Sequence, residues 1–181
     1  MRTLLVCLLS LVALSGCAAG HMLERGTSPT LAASPESANL VIIRDTRLGF
    51  AIAVWNYLDE KMIGETKGGT YFVTKVKPGP HWVVASSENT LALRFDFEPG
   101  KTYYLRQDIW MGVWRARAGF TPLDPKEAKE AIESCTYWEL DPGNPGEDID
   151  AELLKQAIAD YEDGIKNDPE AYKAALEYKG Y

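Results

Sequence analysis

The residues best suited to covalent or acid–base chemistry are few, and they are scattered along the chain. The 181 residues contain three cysteines, Cys7, Cys17 and Cys135, and two histidines, His21 and His81. His81 has no histidine, cysteine or carboxylate at metal-ligand spacing, which disfavours a zinc site. No Gly-x-Ser-x-Gly turn surrounds a serine, and no glycine-rich phosphate loop is present. The sequence therefore predicts no metal, no cofactor and no catalytic residues.

Cys17 follows a segment that is typical of an exported protein. Arg2 supplies a positive charge, and the apolar run over residues 4–14 is interrupted only by Ser10. This run is too short to span a bilayer, which takes about 20 apolar residues, but it suits the apolar core of a signal peptide. The run Leu14-Ser15-Gly16-Cys17 resembles the lipobox of bacterial lipoproteins. The same residues also allow an ordinary signal peptide that contains a cysteine, or an uncleaved anchor.

The lipobox resemblance implies a specific fate for the amino end. In such proteins the cysteine thiol is diacylglycerylated, a dedicated signal peptidase cleaves before the cysteine, and the new amine is usually acylated. Residues 1–16 would then be the signal peptide, and Cys17 would hold the protein in the membrane through palmitate-type chains, whose number makes the anchoring stable. Ala18 replaces the Asp that commonly retains such proteins in the inner membrane. The implied location is the bacterial cell envelope, at the periplasmic face of the outer membrane if the cell is Gram-negative.

Charge and cysteine content restrict the partners further. Asp and Glu number 26 against 19 Lys and Arg, which gives a formal net charge of −7. Phosphate binding draws on clustered basic side chains, so nucleic acid and an anionic membrane surface are disfavoured. Once Cys7 is removed and Cys17 is lipidated, Cys135 is left without a disulfide partner. We interpret Cys135 as a buried structural thiol.

The chain divides into a tether, a β-rich domain and a helical tail. Residues 17–39 are rich in Gly, Ser, Thr, Pro and Ala, and we interpret them as the lipidated cysteine and a flexible tether with an r.m.s. reach of about 25 Å. Over residues 40–123, short β-rich runs alternate with Gly- and Pro-containing turns, which predicts an antiparallel β-sandwich of seven or eight strands. Residues 90–97 show the clearest alternation, with Leu91, Leu93, Phe95 and Phe97 on one face.

The composition changes after Pro122. Asp124, followed by Pro125 and Glu127, has the pattern of a helix start, and this helix should run to about Ser134. Apolar residues at helical spacing predict a second helix over residues 149–165. A third begins at Asp168-Pro169-Glu170. Residues 124–181 are therefore predicted to be a C-terminal α-helical tail on a mostly β protein.

Three short sequence motifs follow one another in the β-rich segment. They are Leu40-Val41-Ile42-Ile43-Arg44, Val76-Lys77-Pro78-Gly79-Pro80-His81 and Gly100-Lys101-Thr102-Tyr103-Tyr104-Leu105. Together they resemble a family of small bacterial lipoproteins of unknown function with an immunoglobulin-like or prealbumin-like β-sandwich. The resemblance covers about residues 40–132, and it implies a fold without implying an activity.

Two tryptophans are the strongest candidates for a binding surface. If residues 102–114 form one strand, four notable side chains share its more polar face: Arg106, Asp108, Trp110 and Trp114. Exposed indoles there could stack on sugar rings or anchor a partner protein. In the competing interpretation, the helices of the tail cover the indoles, or a bulge near Gly112 turns them inward.

These observations favour a non-catalytic, lipid-anchored envelope protein with a structural or protein-interaction role. The alternative is a glycan-binding module that uses exposed tryptophans, and an enzyme comes third. Binding to an envelope protein or polysaccharide requires exposed aromatic side chains, a scaffold would bury them, and an enzyme needs carboxylates that converge in a cleft.

Overall fold

A computed structural model describes residues 20–47, 49–111 and 116–181. These ranges contain ten strands and three helices. The strands are β1 (Met22–Glu24), β2 (Ala38–Arg44), β3 (Val54–Leu58), β4 (Lys61–Thr66), β5 (Thr70–Val76), β6 (Gly79–Ser86), β7 (Thr90–Phe97), β8 (Thr102–Met111), β9 (Ala116–Leu123) and β10 (Thr136–Leu140). The helices are α1 (Pro125–Glu133), α2 (Ala151–Asn167) and α3 (Pro169–Glu177).

The strands form two sheets that enclose the main core in a sandwich-like arrangement. One sheet has six strands in the order β1-β10-β5-β2-β8-β9, and the other has four in the order β4-β3-β6-β7. The mostly β prediction is confirmed, but the antiparallel prediction holds only for the four-stranded sheet. In the six-stranded sheet β2 pairs in parallel with β8, and β10 pairs in parallel with β5. The prediction of seven or eight strands missed β1 and β10, which lie outside residues 40–123.

Strand β2 is at the centre of the fold, and all seven of its residues are buried. Leu40 and Ile42 face the main core between the sheets, whereas Val41 and Ile43 pack under α1 on the outer face. A strand covered on both faces needs apolar side chains at every position. This explains why the residues Leu40-Val41-Ile42-Ile43 show no alternation of apolar and polar side chains.

The helices cover the outer faces and one side of the sandwich. Asp124 caps the start of helix α1, and its side chain accepts hydrogen bonds from the Lys126 and Glu127 N–H groups in a capping box, as predicted. Helix α2 lies on the four-stranded sheet, where Ala157 packs with Ala92, and α3 contacts β7 and β9. The C-terminal part is not wholly helical, because β10 follows α1. None of the helices in the described ranges is long and apolar enough to cross a bilayer.

The segment predicted to be a tether is partly built into the fold. Strand β1 pairs with β10, and the Met22 side chain is only 6% exposed. Leu31 packs against the cluster under α1, and Ser34 forms a bridge with Ser37. Residues 22–24 and 34–39 of the predicted tether are therefore built into the fold, whereas residues 25–30 are exposed and lie in no helix or strand. Cys17 lies outside the described residues.

The last residues of the chain pack at the end of the six-stranded sheet where β8 begins. The backbone N–H and C=O of Tyr181 pair with those of Thr102. The Tyr178 hydroxyl accepts a hydrogen bond from the Tyr104 N–H at 2.9 Å and donates to the Leu123 carbonyl at 3.0 Å. Burial strongly raises the pKa of Tyr178.

We expect the fold to lose stability as the pH rises above about 10, the ordinary tyrosine pKa. Above that pH an unfolded tyrosine ionises, whereas folded Tyr178 stays protonated until its higher pKa is reached. Its contribution is therefore complete below the unfolded pKa and is lost as the pH rises toward the folded one. In urea denaturation between pH 8 and about 11, the free energy of unfolding of Tyr178→Phe should fall less steeply with pH than that of the wild type. Tyr181→Phe, which removes an exposed hydroxyl, is the control, and equal slopes in all three proteins would contradict this account.

Candidate functional site

The predicted surface residues lie on strand β8. Its register with β9 and its alternating burial place Arg106, Asp108 and Trp110 on the outer face of the six-stranded sheet. The residues between them, Gln107 and Ile109, point into the core. Trp110 is 47% exposed. Trp114 lies outside the described residues.

The position of the Trp110 indole depends on a glycine in the neighbouring strand. A Cβ atom added to Gly119 would lie only 2.6 Å from the indole ring, which is closer than real Cβ contacts. The missing side chain lets the indole lie across β9 without a clash. Gly119 thus helps to orient Trp110.

Arg106 and Asp108 interact mainly with each other. The Arg106 Nε donates a hydrogen bond to Asp108 Oδ1 at 2.9 Å, and the Thr121 hydroxyl donates to Asp108 Oδ2 at 2.6 Å. Both carboxylate oxygens already accept a hydrogen bond. The structure therefore gives these two polar side chains a mutual partner.

Trp110 borders a groove of about 440 Å³ between β7, β9 and α3. We call it the Trp110 groove. Most of its lining is apolar: Leu91, Leu93, Trp110, Phe120, Pro122, Ala171, Tyr172, Ala174 and Ala175. Helix α3 forms the wall opposite the indole and leaves Trp110 half exposed. The tail thus lies beside this indole and completes a groove there.

A second groove, of about 560 Å³, was not predicted from the sequence. It lies where Trp55 and Tyr57 of β3 meet the connection before α2. Trp55 is 38% exposed and Leu153 is 51% exposed. Trp55 sits on a strand between buried residues, and only the packing of the distant residues 143–153 makes this region concave.

The remaining chemistry-bearing side chains have structural partners. His81 Nδ1 lies 2.7 Å from Asp59 Oδ2, and Asp59 Oδ1 accepts a hydrogen bond from the Trp82 N–H. The pair ties the β3–β4 turn to β6. Cys135 is half-buried, and burial together with the Asp45 charge raises its pKa. In the described ranges no three His, Cys, Asp or Glu residues are grouped so that they could hold a metal ion.

Sequence comparisons place these features in a family. A family model described as a protein of unknown function (DUF2846) matches residues 34–120, from just before β2 to the middle of β9. A relative from Haemophilus influenzae (strain ATCC 51907 / DSM 11121 / KW20 / Rd), described as an uncharacterized protein, is 34% identical over 124 residues. The aligned part covers 66% of this chain and 74% of the relative. The family model spans Arg44 and Trp110 and ends before α1. The chain belongs to this family of proteins of unknown function, DUF2846.

Proposed function

We propose that this protein is a lipid-anchored component of the bacterial cell envelope that binds another envelope protein and catalyses no reaction. The anchoring part rests on the run Leu14-Ser15-Gly16-Cys17 after a short apolar segment. Acylation of Cys17 would hold the protein at the membrane, at the periplasmic face of the outer membrane in a Gram-negative cell. The domain that it carries is proposed to be an immunoglobulin-like or prealbumin-like β-sandwich.

The exposed indole of Trp110 beside an apolar groove is the observation that carries the binding part. Trp110 is 47% exposed, and the groove beside it is lined mostly by apolar side chains. Exposed tryptophans next to desolvated pockets are common anchors in protein interfaces. A short apolar segment of a partner would bury both the indole and the α3 wall of the groove.

A glycan is the alternative ligand, because an exposed indole can stack on a sugar ring. Sugars also need hydrogen-bonding groups that fix their hydroxyls. Beside Trp110, the Asp108 carboxylate already accepts hydrogen bonds from Arg106 and Thr121. This pairing favours a protein partner over a polysaccharide.

Site-specific photocrosslinking in living cells tests the proposal. Ala174 is exposed and lines the Trp110 groove, whereas its exposed neighbour Lys173 does not line it. A photoreactive amino acid at position 174 should give a discrete adduct, and the same amino acid at position 173 should give none. In the presence of Trp110→Ala the adduct from position 174 should disappear. Equal adducts from both positions, or an adduct that survives Trp110→Ala, would contradict binding in this groove.

Two further measurements separate the alternatives. Peptides of a second protein in a tryptic digest of the adduct indicate a protein partner, and an adduct that a glycan-degrading enzyme reduces in mass indicates the glycan. The Trp110→Ala protein should melt near the wild-type temperature, because truncation of a fully buried tryptophan costs about 3–5 kcal/mol and half of this indole is exposed. A melt lowered to that extent would mean that Trp110 acts mainly in folding.

A further inference from the structure

The amino-terminal part of the folded domain lies against the β4–β5 turn. A Cβ atom placed on Gly20 would lie 3.6 Å from a Glu65 carboxylate oxygen and 3.8 Å from Lys67 Nζ. Glu65 and Lys67 form an ion pair at 3.2 Å, in which the Glu65 side chain is nearly buried. Two residues later the chain enters β1. Gly20 and the strand that follows it are therefore packed onto the domain.

This packing limits the distance between Cys17 and the domain. Cys17 precedes Gly20 by three residues, which span at most about 11 Å even when fully extended. A tether of some 20 residues would lift the domain away from the lipid headgroups, whereas three residues cannot. If Cys17 is acylated, the end of the domain that contains Gly20 and Lys67 must lie close to the bilayer.

The same turn contacts the loop that follows β2. The Gly68 N–H donates a hydrogen bond to the Phe50 carbonyl at 3.2 Å, and a Cβ atom on Gly68 would lie 2.8 Å from the Phe50 Cα. Phe50 is 70% exposed, more than any other large hydrophobic residue that the structure describes. Its exposed neighbour Arg47 belongs to the same loop. The domain thus displays a phenyl ring on the loop that contacts the β4–β5 turn, and Gly20 lies against the Lys67 side chain of the same turn.

The loop that carries Phe50 is held from inside the protein. The buried Arg44 guanidinium donates hydrogen bonds to the Ile52 carbonyl at 2.5 Å and to the Gly49 carbonyl at 2.7 Å. These two carbonyls flank Phe50 along the chain. The phenyl ring is therefore presented to solvent by a braced loop, which fixes the backbone on both sides of it.

We propose that this end of the domain rests on the bilayer and that Phe50 inserts into the boundary between headgroups and acyl chains. The inference rests on the proposed acylation of Cys17. Apolar and aromatic side chains gain free energy at this depth, and a basic side chain such as Arg47 can reach the lipid phosphates. The net charge of −7 opposes electrostatic adsorption, but here a covalent anchor supplies the attachment and an apolar side chain makes the contact.

Tyr181 provides a matched position at the opposite end of the sheet. It is 54% exposed, and its backbone pairs with Thr102, which is opposite Asn39 near the start of β2. Arg44 lies five residues farther along β2, a distance of about 17 Å in a strand. A domain that rests on its Phe50 end should keep Tyr181 in water.

Fluorescent labels at these two positions test the proposal. A Cys135→Ala background removes the remaining thiol of the processed chain, and Phe50→Cys or Tyr181→Cys then provides one site for an environment-sensitive dye. The complete processed proteins are reconstituted into vesicles of phosphatidylcholine and phosphatidylethanolamine and isolated by flotation. The emission maximum of the dye at position 50 should lie at a shorter wavelength than that of the dye at position 181. Spin-labelled lipid should quench the dye at position 50, and iodide should not. The dye at position 181 should be quenched by iodide.

The outcomes distinguish this inference from the proposed function. A chain that does not float with the vesicles overturns both proposals, because the anchor is then missing. A chain that floats but leaves position 50 open to iodide overturns the membrane contact alone. Lipid quenching at both positions also overturns it, since the domain would then have no preferred orientation on the bilayer. Ala51→Cys, at an exposed neighbouring position, gives the same readout if the labelled Phe50→Cys protein does not fold.

Discussion

The Cys17→Ala variant is expected to incorporate no labelled palmitate and to keep residues 1–16. The thiol of Cys17 is the proposed acceptor of the diacylglyceryl group, so the thioether that carries the acyl chains cannot form without it. In the lipoproteins that the run Leu14-Ser15-Gly16-Cys17 resembles, cleavage requires this modified cysteine. Metabolic labelling followed by intact-mass measurement of the protein checks both effects.

Cys7→Ala is the matched control for this experiment. Cys7 lies within the apolar core of the proposed signal peptide, and its replacement should leave labelling and processing at wild-type levels. Palmitate incorporation into Cys17→Ala would contradict the assignment. Normal cleavage of Cys17→Ala, with no label in the wild type, would show an ordinary signal peptide instead.

Arg44→Ala is expected to lower the free energy of unfolding by about 3 kcal/mol or more, because each buried group left without a partner costs about 1–3 kcal/mol. The Arg44 side chain is fully buried and donates to the carbonyls of Gly49, Ile52 and Thr66. Burial lowers its pKa, since the charged form loses hydration. Urea denaturation of the purified protein measures the loss.

The buried surroundings of Arg44 leave little to compensate for the lost free energy of unfolding. Thr66 donates a hydrogen bond from its hydroxyl to the Gln107 side chain, and the Gln107 amide donates to Asn56 Oδ1 at 2.7 Å. All three are fully buried, so water cannot easily replace the guanidinium. A lysine at position 44 should recover little, because one ammonium group cannot reproduce the planar fork of an arginine.

Arg47→Ala is the control for the arginine prediction. Arg47 is exposed in the same loop, and its replacement should change the unfolding free energy by less than about 0.5 kcal/mol. If Arg44→Ala and Arg47→Ala differ by less than about 1 kcal/mol, the Arg44 hydrogen bonds do not hold the loop. Arg44 is part of the run Leu40-Val41-Ile42-Ile43-Arg44, one of three motifs through which the β-rich segment resembles small bacterial lipoproteins of unknown function.

The elements that could be predicted from the sequence are those whose causes are local. Asp124 and Glu127 cap α1 through backbone groups within three residues of each other. The alternating side chains of β7 and the continuous apolar run of β2 likewise reflect burial that each strand carries in its own residues. Such features depend on neighbouring positions in the chain, so their spacing indicates them directly.

The pairings between distant segments could not be predicted in this way. Strand β1 is only three residues long, and it becomes a strand only because β10, more than 100 residues later, offers its edge. The parallel pairing of β2 with β8 likewise joins strands that are about 60 residues apart. Hydrogen bonds between backbones carry no side-chain signature, which is why a segment that resembled a tether proved to be part of a sheet.

The candidate sites divide along the same line. The proposed lipobox around Cys17 could be recognised from the sequence alone because it is a contiguous run of residue types. The exposure of Trp110 instead depends on the side on which α3 packs and on the absence of a side chain at Gly119. Phe50 is displayed because Arg44 is drawn into the core and holds the carbonyls of its loop. Exposure is a property of the packed molecule, since an aromatic residue has the same letters in the sequence whether it fills a core or faces a partner.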